Sequence, residues 1–206
     1  MSTSFFPSSA LFIALFLLAL SPNLSVLIVT TRAASAGFKQ GAWAATGVVA
    51  ATWLHALFAV FILIVVSVMR PEAQQVLKLL AAIYLIWNGL TRIRTAALPP
   101  RAVLPTTRRD AASFVTGFLL TFLNLKSIVF YVCFLPAFVA FGSFNAEGLG
   151  VLLGVIAAAG MAARLLYAAA AARGRMVPGV LTGRILNVVA GAVVAAAGAG
   201  LVVGSV

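Results

Sequence analysis

Lys126 is the thirteenth residue of a 28-residue apolar run from Phe114 to Phe141. An ionisable side chain at bilayer depth is costly and usually faces a cavity or a partner. Its three donors and positive charge suit it to hold a carboxylate or another anion, and Asn124, two residues earlier, can both donate and accept. The competing reading, a stem that reaches along the helix to an interface, is opposed by the central position. A second interruption, Ser21-Pro22-Asn23, lies near the middle of the apolar run from Leu11 to Val29. Pro22 cannot donate to the carbonyl of Leu18, and its ring crowds that turn. A carbonyl freed in this way must find another partner or line a water-filled cavity. Ser21 and Asn23 are short polar residues suited to that role, although a proline kink satisfied by neighbouring helices would leave a similar trace. The two interruptions echo one another, as N-L-S-V-L-I-V from Asn23 and N-L-K-S-I-V-F from Asn124. Interrupted apolar segments at corresponding places in two halves point to a transporter built from repeats around a midplane site.

Three further polar residues fall inside apolar runs. His55, preceded by Thr52 and Trp53, is the one group suited to relay protons near neutral pH; a buried histidine hydrogen-bonded across helices is the alternative. Arg164 lies about two turns from the cytoplasmic end of its run, so it either reaches the site or snorkels to the interface.

The elements that must position these residues are membrane helices. The chain of 206 residues is 64% hydrophobic and only 8% charged, against roughly 25% charged in a soluble domain, and its mean hydropathy is +1.17. Apolar runs at Ala10 to Thr30, Ala44 to Val68, Ala73 to Leu90, Phe114 to Phe141, Leu149 to Ala171 and Ile185 to Val203 each meet or approach the ~20 residues of a spanning helix. No Lys or Arg precedes Arg32, so the first run lacks the basic leader of a cleaved signal peptide and is expected to stay as a span.

The net charge of +11 would suggest nucleic acid in a soluble protein, but ten of the fourteen basic residues fall in alternate connections, so topology explains them. Arg32 and Lys39 lie between the first two runs; Arg92, Arg94, Arg101, Arg108 and Arg109 follow the third; Arg173, Arg175 and Arg184 follow the fifth. These connections are expected inside the cytoplasm and both termini outside it. The expected fold is an all-α integral membrane protein of six transmembrane helices as two inverted three-helix repeats. It forms a single transmembrane domain over 1–206, with repeats at 1–90 and 113–206 and a basic linker at 91–112. Gly150 with Gly154, and Gly191 with Ala195, are small residues four apart that suit close helix packing and allow a homodimer.

The acids Glu72, Asp110 and Glu147 all lie in connections, and the chain has one His and one Cys. Metal sites, paired-carboxylate chemistry and hydrolase triads therefore lack their parts in the membrane. No phosphate-cradling Gly-Lys motif supports ATP coupling, and nothing requires a cofactor. An enzyme is the poorest reading.

The chain resembles the lysine exporter (LysE/RhtB-type) translocator family of bacterial inner-membrane amino-acid exporters. The likeness rests on S-P-N at Ser21–Asn23, R-A-A-S-A-G-F-K-Q-G from Arg32, G-x-x-x-x-T-x-x-H from Gly47 to His55, and L-K-L-L-A-A-I-Y-L-I-W-N-G from Leu77. G-F-L-L-T-F-L-N-L-K-S from Gly117, F-L-P-A-F from Phe134 and G-R-I-L-N-V-V-A-G from Gly183 complete it. Leu20 and Ser21 stand where the family usually has Pro and Gly, Leu125 replaces a second proline, and Thr52 replaces its usual aspartate.

What the resemblance implies is export of an amino acid or similar small zwitterionic solute across the bacterial inner membrane, driven by an ion gradient. Ser21, Pro22, Asn23, Asn124 and Lys126 would bind the substrate, with Thr52, His55 and Arg164 adjoining as site or coupling residues. Without an intramembrane acid, a cationic solute fits poorly and a neutral amino acid better. The alternative is a membrane scaffold or accessory subunit derived from the exporter fold. The expected topology has a direct check: alkaline phosphatase fused after Val206 should be active in cells, and inactive when fused within the basic linker; the reverse pattern would invert the assignment.

Overall fold

The computed structural model describes residues 8–94, 110–138, 146–174 and 180–203, and the elements among them are all helical. Helices α1 (Ser8–Leu20) and α2 (Leu24–Ala36) meet at 62°, and α3 (Phe38–Ser67) and α4 (Pro71–Arg94) follow as long single helices. The order then recurs. Helices α5 (Asp110–Phe122) and α6 (Leu125–Phe134), the latter extended by a 3₁₀ turn at Leu135–Ala137, meet at 65° and precede α7 (Ala146–Ala172) and α8 (Val180–Val203). The four long helices are each apolar enough to cross a bilayer, and counting each bent pair as one span gives six.

Local chemistry explains the first bend. Ser21 closes α1 by donating its amide to the carbonyls of Leu17 and Leu18, both at 3.2 Å, so the carbonyl opposite Pro22 is not the one left open. Asn23 adopts an extended conformation (φ −149°, ψ 178°) and its Oδ1 accepts from the Val26 amide at 3.1 Å, an N-cap that starts α2 in its new direction. The open carbonyl is that of Leu20, and it accepts a hydrogen bond from the Tyr167 hydroxyl of α7 at 2.5 Å.

At the second bend the Asn124 side chain does not cap α6. There the carbonyl of Phe122, which a continuous helix would pair with the Lys126 amide, accepts from His55 Nε2 of α3 at 3.1 Å. Each break is thus capped by the long helix of the other half.

Glycines permit the close approach these caps require. A Cβ on Gly47 of α3 would collide with the Phe114 carbonyl oxygen of α5, and one on Gly117 with the Ala44 carbonyl oxygen. Gly89 of α4 and Gly191 of α8 stand in the same reciprocal relation, each built Cβ falling 2.5 or 2.6 Å from the other's carbonyl oxygen. Without a hydrophobic drive between helices in lipid, such small-residue seams supply the packing. Gly150 and Gly154 meet nothing within 4 Å among the described residues.

Arg32 and Lys39 do not occupy a loop. Gly37 alone, at φ +94°, turns α2 into α3, a conformation that L side chains rarely adopt. Arg32 is buried in α2 and donates Nη2 to Thr116 Oγ1 of α5 at 2.7 Å. Lys39 Nζ lies 2.8 Å from Asp110 Oδ2, and Gln40 Nε2 donates to Asp110 Oδ1 at 2.7 Å. The α2–α3 corner and the start of α5 therefore share one end of the bundle, as alternate basic connections should. Most of the expected linker, residues 95–109, lies outside the described residues.

These contacts set an order of sensitivity. Tyr167→Phe and His55→Phe should each lower the melting temperature of the detergent-purified chain, through a loss of about 1–2 kcal/mol of stability for one lost cap. Gly117→Leu and Gly191→Leu should lower it further or prevent accumulation, and Gly150→Leu should do neither; equal melting of all five variants would contradict the packing described.

Candidate functional site

Both breaks open onto one cavity of about 280 Å³. Leu15, Leu18 and Ala19 of α1, with Asn23, Leu24 and Ser25 at the start of α2, form one side. Thr121, Asn124, Lys126 and Ser127 at the second break, with Phe130 and Tyr131 of α6, form another. Val49 and Thr52 of α3, Asn88 and Arg92 of α4, and Ile156, Gly160 and Arg164 of α7 complete the wall.

Five of the residues singled out in the sequence come together here: Asn23, Asn124, Lys126, Thr52 and Arg164. Asn23 commits its Oδ1 to the N-cap, which leaves the side-chain NH₂ as a donor. Lys126 is exposed on the wall, with no hydrogen bond or ion pair to another described residue. Thr52 Oγ1 donates to the Val48 carbonyl at 2.8 Å, leaving its lone pairs toward the cavity. Arg164 is 8% exposed; its Nη1 donates to the Gly160 carbonyl at 2.9 Å, and its buried Nε has no partner among the described residues. A Cβ at Gly160 would sit 2.9 Å from that Nη1, so the glycine makes room for the guanidinium.

Ser21, Pro22 and His55 stand behind the wall. Pro22 makes the break. Ser21 is fully buried, and its Oγ donates to Asn187 Oδ1 of α8 in a very short contact while accepting from Arg92 Nη1 at 3.4 Å. His55, 1% exposed, stacks on Phe122 with ring centroids 6.1 Å apart and caps its carbonyl. Because that partner is an acceptor, Nε2 carries the proton, and Nδ1 is buried without a partner among the described residues.

Sequence reasoning missed Arg92, Asn88, Thr121, Asn187 and Tyr167. Arg92 Nε donates to Asn88 Oδ1 at 3.0 Å, a bond between residues one turn apart that holds the guanidinium against the wall. Their i, i+4 spacing was a usable signal, hidden because a basic residue at the end of an apolar run also reads as topology. Thr121 Oγ1 is buried and unpartnered among the described residues, and faces the same cavity.

Chemically, the wall is a set of donors. Helices α2 and α6 both begin on it, so the positive ends of two helix dipoles lie at the space. The wall residues supply Lys and Arg cations and Asn, Ser, Thr and Tyr groups but no Asp, Glu, His or Cys, a donor set unsuited to holding a metal cation.

The sequence profile of the LysE type translocator family matches residues 16–205. An uncharacterized membrane protein of Synechocystis sp. is 31% identical over 198 residues, covering 95% of each chain. No solved structure matches the chain. Since the matched stretch takes in both breaks and all the charged groups of the cavity wall, the chain belongs to the LysE type translocator family of membrane proteins.

Proposed function

We propose that this translocator is a secondary transporter that exports an amino acid or similar small solute from the cytoplasm of a bacterium, its two halves inverted in the inner membrane. The observation that carries this reading is the convergence of two broken helices on one polar cavity, the arrangement by which many secondary transporters bind at the midplane. The cavity, at about 280 Å³, lies just under the roughly 300–1,000 Å³ of drug-sized pockets, which suits a small metabolite.

In this reading Lys126 and the first turn of α6 hold the substrate carboxylate, with the Asn23 amide donating from the opposite break. Asn124, Thr121 and Thr52 offer oxygen acceptors to an ammonium group. Ser21 and Pro22 fix the first break, and His55 and Tyr167 fix the open carbonyls, so that these residues act on transport by holding the wall in place. Alternating access then takes the form of one half rocking against the other about the cavity, powered by an ion gradient as in secondary transporters generally.

Efflux from cells fed dipeptides, which load the cytoplasm with free amino acids, tests the proposal. Expression of the chain should speed the appearance of an amino acid outside. Lys126→Ala should cut that rate ~10-fold or more, the usual order for loss of a desolvated charge contact, at unchanged protein level. Full activity in Lys126→Ala and Asn124→Ala would remove these residues from the pathway. Absence of efflux for every amino acid, with the protein in the membrane, would favour a different solute or a scaffold.

A further inference from the structure

The cavity wall carries three cations, Arg92, Lys126 and Arg164, from three different helices. The whole chain has three acidic residues, and none is on that wall. Asp110 is engaged by Lys39 and Gln40 at the end of the bundle, while Glu72 and Glu147 lie in the first turns of α4 and α7. Arg92 is held by Asn88 and Ser21, and Arg164 by the Gly160 carbonyl, all neutral groups. A cation buried beside neutral acceptors alone retains most of its desolvation cost, and neighbouring like charges add to it. No described residue supplies a counter-charge at the wall, so the occupant must.

A neutral amino acid brings one negative charge and places an ammonium among three cations. A solute with two anionic groups lowers the energy of the wall instead. The cations are distributed over α4, α6 and α7, and Leu18, Phe130 and Ile156 share the wall with them, which suits anionic ends joined by an apolar spacer. We propose that the substrate class is the small dicarboxylate, acidic amino acids included. The inference rests on the export reading of the same cavity and narrows it from a neutral to an anionic solute. One carboxylate sits at Lys126 and the start of α6, the other at Arg164 and Arg92.

The test uses the full chain, purified in detergent for thermal-stabilisation titrations and reconstituted in vesicles for exchange of internal against external labelled solute. Probes are succinate, aspartate, leucine and inorganic phosphate. Succinate or aspartate should stabilise the protein, less so at high salt, whereas leucine and phosphate at equal concentration should not. Arg164→Gln and Arg92→Gln should each weaken the apparent affinity for the dicarboxylate at least ~10-fold. Lys126→Gln, at an exposed position that does not threaten folding, should do the same. Stabilisation and exchange by leucine, unaffected by succinate or aspartate, would overturn the anionic class and leave export standing. Stabilisation by phosphate alone would also overturn it. Dicarboxylate binding without exchange across vesicles would uphold the anionic site and sink the export reading, and no binding by succinate or aspartate would overturn the anionic class while the efflux assay decides export.

Discussion

A helix broken inside a bilayer leaves backbone groups that lipid cannot satisfy, and the structure depends on how these are met. Each break is capped from the opposite half: Tyr167 of α7 reaches the Leu20 carbonyl, and His55 of α3 reaches that of Phe122. The crossed caps require α7 to lie against α1 and α3 against α5, and Gly47 against Phe114 and Gly117 against Ala44 permit the second approach at backbone distance. Once the long helices are so placed, their middle turns can line the space between the breaks. Thr52 lies three residues from His55, and Arg164 three residues from Tyr167. The groups that hold the breaks and those that face the cavity thus occupy neighbouring turns of the same two helices.

The polar residues divide by the same logic. Those at the bundle end, Lys39, Gln40, Asp110 and Ser113, satisfy one another in a network that runs from the exposed Lys39 to the buried Gln40 and Ser113. A relay runs from Arg92 on the wall through Ser21 to Asn187 behind it, tying α4, the first break and α8 together. Those on the wall keep unspent capacity, seen in Lys126, in Arg164 Nε and in Thr121 Oγ1. Unspent donors in a low-dielectric space are expensive unless a ligand uses them. This contrast separates the binding wall from its supports more clearly than residue type does.

Much of this was legible in the sequence because the bilayer constrains so strongly. Six apolar runs gave the spans, and Pro22 and Lys126 marked the two breaks, since a proline and a charge at mid-span each need an explanation. Asn23, Asn124 and Thr52 followed from their nearness to those breaks. What stayed hidden is what only tertiary packing creates. Tyr167 and Asn187 meet their partners 147 and 166 residues away, and neither has a local signal. His55 was open between proton relay and buried hydrogen bond; its Nε2 bonds across helices to the Phe122 carbonyl, a partner that no local pattern announces. Arg32 looked like a loop charge because the run of apolar residues ends near it, but one glycine suffices for the turn and the helix carries the arginine inward.

The central claim is that both breaks line one water-accessible cavity, and its most direct test is thiol labelling. In a Cys133→Ser background, single Asn23→Cys and Asn124→Cys variants would be treated with a polar, membrane-impermeant thiol reagent from each side of the membrane in turn. Ile13→Cys, on the outer surface of α1, serves as the lipid-facing control. The account predicts that both break positions react from the same side and that Ile13→Cys does not react from either. Labelling at neither break, or at the two breaks from opposite sides only, would contradict it.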